Sequence, residues 1–189
     1  MSVPRELLTD RLRLRQWEDR DVDRLACIYT DPGYLEHMPA MDREATAAQV
    51  ARFRQRWEQD GFSHWAAEER ATGTLVGRIG LLRHHDWPLE AGPVEVGWTL
   101  APEARGRGFA TEGGRASLDA AFAHLDVTRV ISITTPGNAR SRRVMEKLGL
   151  SLRGDARWHH LDVVWYALDR PGASPSPPHP WLHAAPRPS

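Results

Sequence analysis

Val94-Glu-Val-Gly-Trp-Thr-Leu100, Ala101-Pro-Glu-Ala104 and Arg105-Gly-Arg-Gly-Phe-Ala110 follow one another without a break, and their reading decides the fold. In the first segment Val94, Val96, Trp98 and Leu100 alternate with Glu95, Gly97 and Thr99, the period-two pattern of a strand. Pro102 has no N–H for a ladder and ends it. After the turn, Ala110, Gly114, Leu118, Phe122 and Leu125 recur at helical spacing. Two glycines therefore lie between a strand end and a helix start, with two arginines interleaved. The first N–H groups of a helix have no intrahelical partner, and with the helix dipole they form a site for anions. Gly106 and Gly108 let the backbone come close to a bulky polyphosphate, and Arg105 and Arg107 add forks for phosphate oxygens. The turn is suited to a pyrophosphate.

A P-loop is excluded, because no Gly-Lys-Ser/Thr occurs and Lys147 is the only lysine. The dinucleotide fingerprint is poorly met, since Thr111 stands where the third glycine belongs. Arg105, Gly108 and Ala110 do fit the pattern Gln/Arg-x-x-Gly-x-Gly/Ala. Downstream, Val130-Ile-Ser-Ile-Thr134 reads as a strand and Thr135-Pro-Gly137 as a turn. Asn138 then N-caps a helix to about Leu148, and Gly149 is suited to its C′ position. Asn138, Ser141, Glu146, Lys147, Gly149 and Leu150 match the order Asn-x-x-Ser-x-x-x-x-Glu-Lys-x-Gly-Phe/Met/Leu. With both segments in hand, the chain resembles the GNAT superfamily of acyl-CoA-dependent N-acetyltransferases. Leu7 to Arg15 and the Ser141 pattern resemble its branch of ribosomal-protein serine/alanine N-terminal acetyltransferases. The likeness spans about Leu8 to Leu168, with Val94 to Leu150 its specific part.

The resemblance implies an α/β (α+β) fold, a mixed and mostly antiparallel sheet of about seven strands flanked by four helices. It implies a splayed parallel pair, formed by the strands at Val94–Leu100 and Val130–Thr134, that receives the pantetheine arm of acetyl-CoA. The cofactor set it implies is Trp98, Thr99, Leu100, Arg105, Gly106, Arg107, Gly108, Phe109, Ala110, Thr111, Asn138 and Ser141. Asn138 is read as a partner of the pantetheine amides or as a cap only.

Acetyl transfer to an amine needs a neutral nitrogen, a polarised carbonyl and a stabilised thiolate. A side-chain amine with pKa about 10.4 is roughly one-thousandth neutral at pH 7, and an α-amine near 8 about one-tenth. Glu95 is the candidate base, acting through a water; the alternative is a solvated or salt-bridged strand carboxylate. Backbone N–H groups around Trp98 to Leu100 are candidates for polarising the carbonyl. Many relatives use a tyrosine for the leaving group, but here that position is Met145, which has no proton to give. Ser141 is the candidate donor instead, with cofactor contact or capping as the alternative. A CoA thiol titrates near 8 to 9, so an acid gains only a modest factor.

In the preceding chain, Leu12–Gln16 reads as a strand, and Val22, Leu25, Ala26 and Tyr29 as one helical face. Asp31-Pro-Gly33 is expected to stop that helix, with a loop through Glu36 leading to a second helix that carries Val50, Phe53 and Trp57. Ser63–Glu69 and Leu75–Leu82 read as a hairpin around Ala71-Thr-Gly73, and Ser151–Arg157 and Leu161–Leu168 as two last strands. Tyr29, Glu36, Trp158 and His159 are the candidate acceptor-binding residues; Asp31, Glu36 and Asp42 are acids that would favour a polycationic acceptor. Trp17, Trp57 and Trp65 are assigned to the core. The stretch 1–170 is expected to be one domain, and 171–189 a proline-rich disordered tail.

Lys plus Arg and Asp plus Glu number 25 each, so bulk charge favours neither nucleic acid nor an anionic membrane. Cys27 is the only cysteine and is read as a small buried hydrophobe. The pairs His84-His85 and His159-His160 lack ligand spacing and are read as surface residues, with no metal expected. No apolar run of membrane-spanning length and no signal peptide stand out, and a cytoplasmic monomer or homodimer is expected. The expected activity is transfer of an acetyl group from acetyl-CoA to a primary amine, a protein N-terminus or a small molecule, by direct attack in a ternary complex. A catalytically weak acyl-CoA-binding sensor is the alternative.

Overall fold

Eight strands and five helices follow in chain order in a computed structural model that describes residues 2–172. The strands are β1 (Leu7–Leu8), β2 (Leu12–Arg15), β3 (His64–Glu69), β4 (Thr74–Arg83), β5 (Val94–Leu100), β6 (Arg129–Thr134), β7 (Ser151–Trp158) and β8 (Leu161–Asp169). The helices are α1 (Asp21–Tyr29), α2 (Pro32–Leu35), α3 (Arg43–Gln59), α4 (Phe109–His124) and α5 (Ala139–Lys147). The tail expected to be disordered lies, beyond Gly172, outside the described residues.

One sheet takes the order β1-β2-β3-β4-β5-β6-β8-β7. Every neighbouring pair is antiparallel except β5–β6. Strands β4 and β5 pair along the whole of β5, whereas β5 and β6 pair only at Val94↔Val130 and Glu95↔Ile131. The two parallel strands then part, and this divergence is the expected splay.

Alternation assigns the two faces. Ile79↔Trp98 and Leu81↔Val96 lie on one face of the β4–β5 ladder, and Arg78↔Thr99, Gly80↔Gly97 and Leu82↔Glu95 on the other. Helix α4 covers the first, coming so close that a Cβ on Gly113 would stand 2.6 Å from Ile79 Cδ1. A Cβ on Gly114 would stand 2.8 Å from Leu148, next to α5. Helices α1 and α3 cover the second face, where Phe53 of α3 meets the His64 ring edge-on at 5.2 Å. Trp17, Trp57 and Trp65 are buried as expected.

Three local readings are corrected. Leu7–Leu8 adds an edge strand too short for alternation to reveal. Helix α1 does end at Tyr29, but Asp31-Pro32 opens a new turn: the Asp31 carboxylate accepts the Tyr34 N–H at 3.2 Å and Pro32 occupies the first helical position. Cys27 is exposed, because Val22, Leu25, Ile28 and Tyr29 set the buried face and Cys27 falls on the opposite side.

A buried ion cluster ties β2, α1 and β3 together. Arg15 donates to Asp21 at 2.7 and 2.9 Å and to Glu68 at 2.8 Å, with all three residues less than a tenth exposed. Its fork satisfies both carboxylates, and the Asp21 hydrogen bonds hold its pKa above the ordinary arginine value. Arg15→Met strands two buried carboxylates, and urea unfolding is expected to show a loss of about 3–5 kcal/mol.

Candidate active site

The site begins where β5 and β6 separate. A strand that loses its neighbour exposes backbone donors that need other partners. Glu95 supplies one: its Oε1 accepts the Ile133 N–H at 3.2 Å, bridging the opening with a side chain in place of a ladder bond. Its Oε2 accepts from His84 Nε2 at 2.6 Å. His84 lies just past β4, two residues beyond Leu82, the direct partner of Glu95, so the pair is a cross-strand diagonal. Expected at the surface, His84 is instead 9% exposed, held edge-on to Trp158 at 4.7 Å.

Pyrophosphate chemistry has a matching feature at the tip of α4. Gly106 and Gly108 have φ of +74° and +88°, the left-handed region that glycine enters without strain. Gly108 is the N-cap and no side chain closes the tip, so the N–H groups of Phe109, Ala110 and Thr111 are available to an anion. A Cβ on Gly106 would meet nothing within 4 Å, which leaves room for a large polyphosphate. These features fit a CoA diphosphate.

The arginine forks are committed elsewhere. Arg107 pairs with Glu69, and Arg105 binds Asp31 at 2.6 Å and the Leu100 carbonyl at 3.1 Å. Arg11, which the sequence reading passed over, donates to the Arg107 carbonyl at 2.8 Å and binds Glu112 of the first turn of α4. The guanidiniums of Arg11 and Arg107 lie 4.8 and 4.6 Å from the Phe109 ring. No local pattern announces Arg11, since its partners are about a hundred residues away.

Across the opening runs the segment 31–37. At one end Asp31 binds Arg105, which follows β5; at the other Glu36 binds Arg140 of α5 at 3.1 Å and His37 contacts Thr135 after β6 at 3.1 Å. Glu36 and Asp31 are thus occupied by cations of this chain, and Asp42 caps α3 through the Ala45 N–H.

On α5, the Asn138 side-chain Oδ1 caps the helix by accepting the Ser141 N–H at 3.0 Å. The Ser141 hydroxyl has no hydrogen-bond partner among the described residues. Met145 is buried in the main core, so the position where relatives carry a tyrosine serves packing here. Of the acceptor candidates, Tyr29 is fully buried and donates to Gln49 Oε1, and Tyr34 lies against it at 4.9 Å. Trp158 joins Trp87 and His84, whereas His159 is exposed at the β7–β8 turn and reaches Asp86 at 3.0 Å. Trp98 and Thr99 sit on opposite faces of β5 beyond the parting point.

The comparisons agree with the fold. The acetyltransferase (GNAT) domain model matches residues 11–151. The Bacillus subtilis (strain 168) protein YkkB is 33% identical over 169 residues, 88% of this chain and 96% of its own. An acetyltransferase structure from Agrobacterium tumefaciens str. C58 superposes with a TM-score of 0.75 at 28% identity, covering 90% of this chain and 96% of that one. RimL, a ribosomal-protein α-N-acetyltransferase solved in complex with coenzyme A, gives 0.69 at 14% identity, covering 88% and 97%, a likeness of fold alone. The chain belongs to the GNAT acetyltransferase family and is an acetyl-CoA-dependent N-acetyltransferase.

The Asp31–Arg105 contact has a pH signature. Burial alone would raise the Asp31 carboxyl, but the Arg105 guanidinium and the Tyr34 and Gly33 N–H groups outweigh it and hold its pKa below the usual range. Its stabilisation is therefore full above the unfolded value of about 3.9 and is lost as pH falls through the lower folded value. Urea midpoints measured from pH 5 to pH 2.5 are expected to fall less steeply for Asp31→Asn than for the parent.

Proposed function

We propose that the enzyme acetylates a primary amine by direct attack in a ternary complex, with Glu95 as the base. The supporting observation is the position of its carboxylate, held at the parting of β5 and β6 by the Ile133 N–H and His84. Bound acetyl-CoA supplies the acetyl group as a thioester. The N–H groups at the tip of α4, with Gly106 and Gly108, hold its diphosphate, and the Asn138 side-chain NH2, which the cap leaves unused, bonds the pantetheine amides.

Glu95 takes the ammonium proton, directly or through one water, so that the nitrogen attacks with a free lone pair. His84 donates to the same carboxylate and is a positioning residue: with the Ile133 N–H it fixes the orientation of the carboxylate. N–H groups of β5 beyond Glu95 lie along an edge that β6 has left, and they polarise the thioester carbonyl. The second nitrogen proton, released as the tetrahedral adduct collapses, reaches the departing thiolate through the Ser141 hydroxyl, which gives one proton and takes one. A soluble amine and a protein N-terminus are both compatible with this chemistry; RimL, a ribosomal-protein α-N-acetyltransferase, uses the second.

Glu95→Gln removes the base with little change in architecture: the Gln carbonyl still accepts the Ile133 N–H, its NH2 donates to His84 in the other tautomer, and the amide takes no proton. We expect kcat to fall about 10²- to 10⁴-fold, with CoA affinity by calorimetry unchanged. A variant as fast as the parent would remove Glu95 from the mechanism. Ser141→Ala is expected to lower kcat about tenfold or less, in keeping with a leaving thiol that needs little help; a fall confined to CoA affinity would make Ser141 a binding residue only.

A further inference from the structure

A cleft of about 140 Å³ opens between α3 and β4, lined by Gln49, Arg52, Phe53, Arg56, Arg78 and Leu82. Leu82 is the direct ladder partner of Glu95, so the cleft lies beside the proposed base, on the same face of the sheet. Three of its six lining residues are arginines, and among the described residues none of the three has a carboxylate within salt-bridge distance. The contrast within α3 is sharp: Arg43 and Arg54 are paired with Asp23 at 2.6 Å and Asp19 at 2.8 Å.

Arg78 is the innermost. One of its terminal nitrogens donates to His64 Nδ1 at 2.7 Å, and its Nε is buried with no partner at all. The rings beside it, His64, Tyr29 and Tyr34, carry no negative charge. Burial and the Arg78 charge hold the His64 pKa well below its ordinary value, so the ring is neutral. Burial likewise pushes the Tyr29 phenol up to about 12, and the neighbouring Tyr34 is also raised by burial. The nearby carboxylate, Glu95, is already committed to Ile133 and His84. A half-buried guanidinium with an unmet donor is costly alone, and its planar fork matches a carboxylate or phosphate.

We propose that the acceptor is a small amine that also carries an oxyanion, a carboxylate or a phosphate, gripped by Arg78 together with Arg52 and Arg56. This deepens the acetyl transfer described above and rests on it. Electrostatic attraction brings the anion into the cleft, and the nitrogen of the same molecule faces Glu95. The acids at Asp31, Glu36 and Asp42, each held by this chain's own groups, do not compete for it.

The test uses the full chain with acetyl-CoA and follows thiol release for matched acceptors: 4-aminobutyrate beside its amide, O-phosphoethanolamine beside ethanolamine, and short peptides beginning with Asp beside those beginning with Asn. The first two pairs distinguish carboxylate from phosphate, and the third is the protein-N-terminus arm. We expect the anionic member of at least one small pair to have a kcat/KM about tenfold or more above its neutral partner, chiefly through KM. Arg52→Ala/Arg56→Ala, on accessible positions of α3, is expected to bring that ratio toward one by raising KM for the anionic member. Arg78→Lys, which keeps the charge but loses the fork, is expected to retain part of it. Equal efficiency within both small pairs, a preference that survives the double variant, or a preference confined to acidic peptides overturns this proposal while leaving acetyl transfer standing. Thiol release with none of the amines, despite tight CoA binding, overturns both.

Discussion

Two ladder pairs, Val94↔Val130 and Glu95↔Ile131, are all that join β5 to β6, and the rest of the structure is arranged around the opening beyond them. A sheet that opens in its middle breaks the rule that buried backbone groups find partners. Here a carboxylate closes part of the deficit, since Glu95 accepts the Ile133 N–H. That one contact gives the side chain two duties. It mends the sheet, and it stands where an incoming amine would meet an acyl group.

Ions organise the surroundings of the opening. Asp31 with Arg105 and Glu36 with Arg140 fasten the 31–37 segment to the chain following β5 and to α5, so both sides of the divergence share one bridge. At the α4 tip, Arg107 and Arg11 are drawn away by Glu69 and Glu112. Helix N–H groups, not guanidinium forks, are left as the main anion donors there. The reverse holds over the opposite face, where Arg52, Arg56 and Arg78 surround a cleft and have no carboxylate partner among the described residues. Elsewhere on that face cations serve as scaffold, as Arg43 and Arg54 do with Asp23 and Asp19, and the three around the cleft are set apart by lacking such partners among the described residues.

Much of the architecture was legible because its signals are local. Alternation from Val94 to Leu100, the glycines at 106 and 108, and the Asn138 cap each declare themselves within a few residues, and each takes the expected form. What escaped depends on distant neighbours. His84 looks like half of a solvated histidine pair until register sets it diagonally across from Glu95. Pro32 reads as a terminator, and only the Asp31 cap shows it to be an initiator. The arginines of α3 are indistinguishable in sequence; which are neutralised depends on whether Asp19 and Asp23 fold beneath them.

Gly113 and Gly114 carry one more consequence. With Ile79 on one flank and Leu148 on the other, α4 is seated by apolar contact at distances that a residue with a Cβ would not allow unless these side chains shifted. Such a seat is indifferent to ionic strength and to proton concentration. Salt sensitivity of CoA affinity is therefore expected to come from the charges that meet the ligand and from the Arg11–Glu112 and Arg107–Glu69 pairs at the α4 tip, not from the glycine seat.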